Sequence, residues 1–146
     1  VFLISDDKPT GPYWKEFQRT GIRVQLRPID QAMMISARYV ATASAAAAAQ
    51  EYEKAGKTWT VADQAAVLNT AFNLQLAKSA IVAWEGVGLK VAQKETAKRV
   101  KKPKKEKAAV VTEANIEAAM RDMAFYDDFD DVYVIPNMPD ATRKNG

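Results

Sequence analysis

Five consecutive alanines, Ala45 to Ala49, stand inside a stretch from Gln31 to Lys54 that holds neither proline nor glycine. Alanine loses no side-chain entropy on entering a helix and adds little bulk, so this stretch predicts a helix over about 31–54 that admits a neighbour at short range. Asp30 is placed to cap its start, because its carboxylate can accept from the free amides of the first turn, and Gly56 to close it. Met34, Arg38 and Thr42 form one row at spacing four, and Ile35, Tyr39 and Ala43 form another. Two uses of the small-residue face stay open: filling a tight intramolecular helix pair, or docking a partner helix.

The flanking segments set the fold class. Strand signals fill residues 1–28: the apolar run Val1 to Ile4, the aromatic patch Tyr13 to Phe17, and the alternation Ile22-Arg23-Val24-Gln25-Leu26-Arg27. Thr20-Gly21 supplies a turn between the last two, and Pro28 ends the third because it has no amide to give a ladder. Thr60 and Asp63 resemble a capping box opening a second helix over about 61–84, with Val61, Ala65, Leu68, Phe72, Leu76, Ala80 and Trp84 as its core stripe. Gly86 and Gly88 follow as its stop. Thr112 caps a third helix, with Val111 and Ile116 as a hydrophobic staple and Ile116, Met120 and Met123 as its apolar stripe. Phe125, Phe129 and Tyr133 continue at spacing four into a short fourth helix ending near Pro136. The expected architecture is α+β and predominantly α-helical. A small N-terminal antiparallel sheet or hairpin and two long helices occupy 1–88, a basic linker or loop 89–111, and a short helical pair with a loosely held tail 112–146, within one domain overall.

Composition narrows the chemistry. A chain of 146 residues without cysteine or histidine has no thiol nucleophile, disulfide, zinc cluster or imidazole base. Neither a nucleophile–base pair nor a glycine-rich phosphate loop is visible, so the expectation is a protein that is not an enzyme and takes no cofactor or metal. No run reaches the ~20 apolar residues that span a bilayer, and residues 1–7 lack the pattern of a secretion signal, which predicts no membrane partner. Asp127, Asp128, Asp130 and Asp131 lack the alternate-ligand spacing, glycine and terminal glutamate of a calcium loop, and are expected on an exposed acidic helix face around a buried Phe129.

Charge is unevenly spread. Nine basic residues oppose eight acidic ones over 1–88, nine oppose two over 89–111, and three oppose eight over 112–146. The basic patch comprises Lys98, Arg99, Lys101, Lys102, Lys104, Lys105 and Lys107 around Pro103. Like-charge repulsion and proline disfavour a helix there. No aromatic interleaves the lysines, so base stacking has no platform, and three readings stay open: solvated linker, electrostatic contact with the chain's own acidic C-terminal part or an acidic partner protein, or nucleic-acid binding.

Three segments in fixed order resemble one family. Leu26-Arg27-Pro28 leading through Ile29 to Met34 is similar to the strand-to-helix entry of small proteins from tail gene clusters of alphaproteobacterial phages and prophages. Trp84-Glu85-Gly86-Val87-Gly88 resembles the tryptophan, glutamate and glycine-valine signature of their tail assembly chaperones. Val111 to Met120, Phe125 to Tyr133 and the terminal Arg143 to Gly146 follow in the same order. The basic stretch Leu89 to Ala109 departs from the family, whose loop is acidic and glycine-rich.

The resemblance to siphovirus-like tail assembly chaperones implies a non-enzymatic role in virion morphogenesis: coating the tape measure protein and recruiting tail tube subunits in the cytoplasm of the bacterial host. Candidate contacts under that reading are Ala45, Ala46, Ala49, Tyr52, Phe125, Phe129 and Tyr133, and a homo-oligomer is compatible with it. The alternatives are a structural virion component of neck, tail or capsid, and an accessory protein that binds nucleic acid through the lysine-rich segment.

Overall fold

The computed structural model describes residues 1–4, 8–89 and 107–138, with the elements β1 (Tyr13–Phe17), β2 (Ile22–Leu26), α1 (Gln31–Lys54), α2 (Val61–Ala80), β3 (Ile81–Glu85), β4 (Gly88–Leu89), β5 (Lys107–Ala108), α3 (Glu113–Met120) and α4 (Met123–Phe129). The fold is α+β and mostly helical, as its patterning predicts. The β1–β2 hairpin turns at Gly21, whose φ of 73° is costly for any residue with a Cβ and whose amide donates to the Phe17 carbonyl at 2.8 Å. The register pairs Tyr13 with Leu26 and Phe17 with Ile22, so Phe17, Val24 and Leu26 point into the core while Trp14 and Arg23 face out. On the outer face the Arg23 guanidinium lies 4.9 Å from the Trp14 ring centre and 3.2 Å from Glu85.

The second helix ends earlier than its stripe suggests. α2 stops at Ala80, and Ile81 to Glu85, expected to be helical or to cap a helix, run as the third strand against the free edge of β2. Ile81 and Val82 are β-branched, and here they meet an unpaired strand whose backbone groups need partners. Val1 to Ile4, by contrast, join no sheet and are each at least 80% exposed. The two described ends of the expected linker pair with each other: Gly88 pairs with Ala108 and Leu89 with Lys107, and Ala109 donates to the Val87 carbonyl at 3.0 Å. The six cationic positions from Lys98 to Lys105, like the terminal Arg143 to Gly146, lie outside the described residues.

Helix starts are capped as expected. Asp30 accepts from the Met33 amide, Thr60 and Asp63 form a reciprocal capping box, and Thr112 accepts from the Asn115 amide. Six residues join α1 to α2, including Gly56 at φ 71°, and the two helices lie against each other as a hairpin. On α1 the buried positions are Ala37, Ala41 and Ala45, and on α2 they are Asn73, Leu76, Ala77 and Ala80. Alanine at every buried α1 position lets the helix axes approach closely. Burial is confined to the end of the hairpin next to the sheet. Beyond Ala45 and before Asn73 nothing is buried, so the distal half extends as an arm, and Val61 and Ala65 of the expected core stripe are exposed.

The C-terminal segment completes the core rather than offering its aromatics to solvent. Phe125, Phe129 and Tyr133 are all buried, Phe125 lying edge-on to Phe17 at 5.3 Å and Phe129 stacking on Tyr133 at 5.2 Å. After α4 the chain widens into a π-helical turn, Asp130–Val134, then tightens into a 3-10 turn at Ile135–Asn137. The widened turn accompanies a fully buried Tyr133 whose hydroxyl donates to the Arg27 carbonyl at 2.8 Å. Burial pushes the Tyr133 phenol well above its ordinary value, with Tyr13 and Asp30 adding to the shift and Arg27 opposing it.

The four aspartates do not share an exposed face: Asp128, turned about 100° from Asp127, points into the core. Asp128 is 1% exposed and accepts from the Arg19 amide (3.0 Å), the Thr20 amide (2.9 Å), the Thr20 hydroxyl (2.9 Å) and the Arg19 guanidinium (3.2 Å). Asp131 takes a second hydrogen bond from that guanidinium. Asp130 accepts from the Asn73 amide nitrogen at 3.0 Å, and Asp127 borders a groove between α2 and α4. Burial pushes the Asp128 carboxyl up, but the converging donors outweigh it and hold the group below the ordinary carboxylate range. Asp130 goes the other way, raised by burial and by Asp131 and Asp127 against the opposing bond from Asn73.

Opposite stability effects follow from the two carboxylates. Asp128→Asn places an amide group against the donors of Thr20 and should lower unfolding free energy by about 2–3 kcal/mol at pH 7 in urea melts. With its folded-state pKa depressed, Asp128 stabilises fully above its unfolded value of about 4, and this is lost as pH falls through the folded value. For Asp130, whose folded-state pKa is raised, ionisation costs stability as pH rises from about 4 through the folded value. Asp130→Asn should therefore match or exceed wild type at pH 7 and lose its advantage below pH ~4.

Candidate partner-binding surface

Where α2 leaves the core to form the arm, its outer face meets the α3–α4 corner across a groove. Ala66, Thr70 and Leu74, spaced four apart on α2, and Asn69 beside them form one wall. Met120, Met123 and Tyr126 form the other, with Glu117, Arg121 and Asp127 along the rim. The groove encloses about 570 Å³ and follows α2 from Ala66 to Leu74, roughly 12 Å or two helical turns. Met123, expected in a core stripe, is 73% exposed at its lip. Asp122 explains this, since its carboxylate caps α4 by accepting from the amides of Ala124 and Phe125, and the turn it makes rotates Met123 outward.

Charge around the groove is unevenly matched. Glu117 is bridged by both neighbouring cations, Lys78 at 3.3 Å and Arg121 at 3.6 Å. Asp127 has no cation partner among the described residues. Tyr126 leans across the groove floor and its hydroxyl donates to the Asn69 carbonyl at 3.3 Å. Burial raises the Tyr126 phenol, and the nearby carboxylates of Asp130 and Asp127 raise it further, which marks this side of the groove as negative.

The arm and α1 supply further uncovered surface. Ile35 and Tyr39 are 64% and 76% exposed on the outer side of α1. Arg38 is the one charged residue between Gln31 and Gln50, an unusual dearth for a helix with a solvent-facing side. Of the small residues expected to contact a partner, Ala45 is buried within the helical hairpin, Ala46 is exposed and Ala49 half-buried. Tyr52 closes the arm: its ring lies edge-on to Trp59 at 4.9 Å, the Lys57 ammonium sits 5.8 Å from its centre, and the Trp59 indole donates to Gln64 at 2.9 Å. A second, more polar cleft lies between Lys8, the start of α1 and Asn137.

The signature residues serve the fold. Leu26 is buried in β2, the Arg27 amide donates to the Ala80 carbonyl at 2.8 Å, and Pro28 follows before α1. Trp84 lies on β3, half-buried, edge-on to Phe125 at 6.3 Å, with its indole donating to the Ala109 carbonyl at 2.8 Å. Glu85 faces Arg23, Gly86 turns at φ 86°, Val87 accepts from Ala109, and Gly88 enters β4. Phe125, Phe129 and Tyr133 are inaccessible to a partner while the core is intact. The groove residues escaped the sequence reading: Met120 and Met123 read as an ordinary core stripe, and Ala66, Thr70 and Leu74 mix small, polar and apolar types, which carries little signal.

The arm tip is open to a local test. Tyr52→Ala should remove about 1 kcal/mol of aromatic contact and speed amide hydrogen exchange over 46–54 and 61–69 several-fold, leaving exchange in β1 and β2 unchanged. Comparison with family models, with curated proteins and with solved structures returns no match to this chain.

Proposed function

We propose that this chain is a non-enzymatic chaperone of phage tail assembly that shelters helical segments of a tape measure protein and presents them to tail tube subunits. The observation that carries this reading is apolar helical surface left uncovered after the chain's own core is filled. A groove floored by methionine and tyrosine lies beside α2, and α1 carries a single charged residue, Arg38, between Gln31 and Gln50. A tape measure is a long helical chain whose apolar seams aggregate when exposed, and helix-in-groove packing covers such seams reversibly. Methionine suits a surface that must accept several sequences, because its unbranched side chain adapts to irregular partners. The arrangement of the Leu26-Arg27-Pro28 and Trp84 to Gly88 segments, which resembles that of tail assembly chaperones, supports the same reading.

Co-expression tests it. A phage tape measure protein co-expressed with this chain should stay soluble and co-purify with it, and should aggregate in its absence. The chain should be found in extracts of assembling cells and not in purified particles. A fixed copy number in finished particles would instead make it a structural component.

A further inference from the structure

Resting on the reading above, we infer that the groove between α2 and the α3–α4 corner accepts a basic amphipathic helix, whose apolar stripe seats on Leu74, Met120, Met123 and Tyr126 while a lysine or arginine on its flank meets Asp127. Three observations specify this occupant. The surface lining the groove is mainly apolar and two turns long, so residues at i, i+4 and i+7 of a helix lying along α2 match its extent. Its α2 wall carries only alanine, threonine and asparagine above Leu74, which leaves room for a helix backbone to approach. The rim is selective in charge: both local cations are taken by Glu117, Asp122 is engaged by its own helix start, and Asp127 remains without a cation partner among the described residues, with Asp130 close behind it.

A neutral helix would fill the apolar floor but leave Asp127 partly desolvated without a partner. An acidic helix would add a like charge beside it. Charge complementarity therefore favours a basic flank, and that preference distinguishes this groove from a general apolar surface.

Two synthetic 18-residue amidated helices with the same leucine and alanine stripe, one with lysine and one with glutamate on its polar face, test this by fluorescence anisotropy with the full chain. The lysine helix should bind at least tenfold more tightly than the glutamate helix. Ala66→Gln and Met123→Gln, neutral changes at exposed positions on opposite walls, should each weaken it at least fivefold with unchanged circular dichroism. Asp127→Lys should bring the two peptides within threefold of each other. Equal affinities for the two peptides in wild type, indifference to both glutamine variants, or no saturable binding of either peptide would overturn the inference. So would a dimer in sedimentation that Ala66→Gln dissociates, which would assign the groove to a second copy. If the tape measure protein co-purifies equally with wild type and Met123→Gln, the groove assignment fails and the chaperone role stands. If it co-purifies with neither, while the lysine helix still binds as expected, the chaperone role fails and the groove stands.

Discussion

The Asp128 carboxylate sits where two backbone amides, a hydroxyl and a guanidinium from the Arg19–Thr20 turn converge, and it joins the last helices of the chain to its first hairpin. Burying a carboxylate is costly unless each lone pair finds a donor, and here four do, so the charge is retained rather than neutralised. The Tyr133 hydroxyl adds a second tie, at the Arg27 carbonyl where β2 gives way to α1. Beside these polar anchors the rings of Phe125 and Phe129 share the core with Phe17, Val24 and Leu26. The C-terminal segment thereby covers the sheet face that α1 and α2 leave open.

This arrangement divides the molecule into a closed part and an open part. The sheet, the near ends of α1 and α2, and the C-terminal helices share one core. The distal arm is only two helices thick, with half-buried residues between them and an aromatic contact at its tip. A two-helix arm cannot bury a full stripe on each helix, so apolar surface remains along α1 and in the groove beside α2. The uncovered apolar surface is in this sense a by-product of layering: α3 and α4 cover the base of α2, and Tyr126 reaches its middle at Asn69.

Much of the fold is legible in the sequence because its signals are local. Asp30, Thr60 and Thr112 mark helix starts through side-chain bonds that span three residues, and Gly21 and Gly56 mark turns by their positive φ. The β1–β2 alternation is read directly from period two. The end of α2 is not local. Ala80 to Trp84 continues the helical spacing without a break, and only the vacant edge of β2, brought close by the hairpin's packing, turns the segment into a strand. The same holds for Asp128, whose neighbours in sequence mark it as one of an exposed acidic cluster and whose donors lie more than 100 residues away.

What the sequence by itself determined is the class of molecule: the helical and strand periods, the caps, the turn glycines, and a composition without cysteine or histidine. These depend on interactions within a few residues, which linear spacing records. Tertiary structure alone decided which apolar residues were left over. Phe125, Phe129 and Tyr133 have the spacing of a docking face and are consumed by the core, while Met123 has the spacing of a core residue and stands in solvent. Burial is a property of how layers meet, and an apolar side chain has the same identity on either side of that boundary.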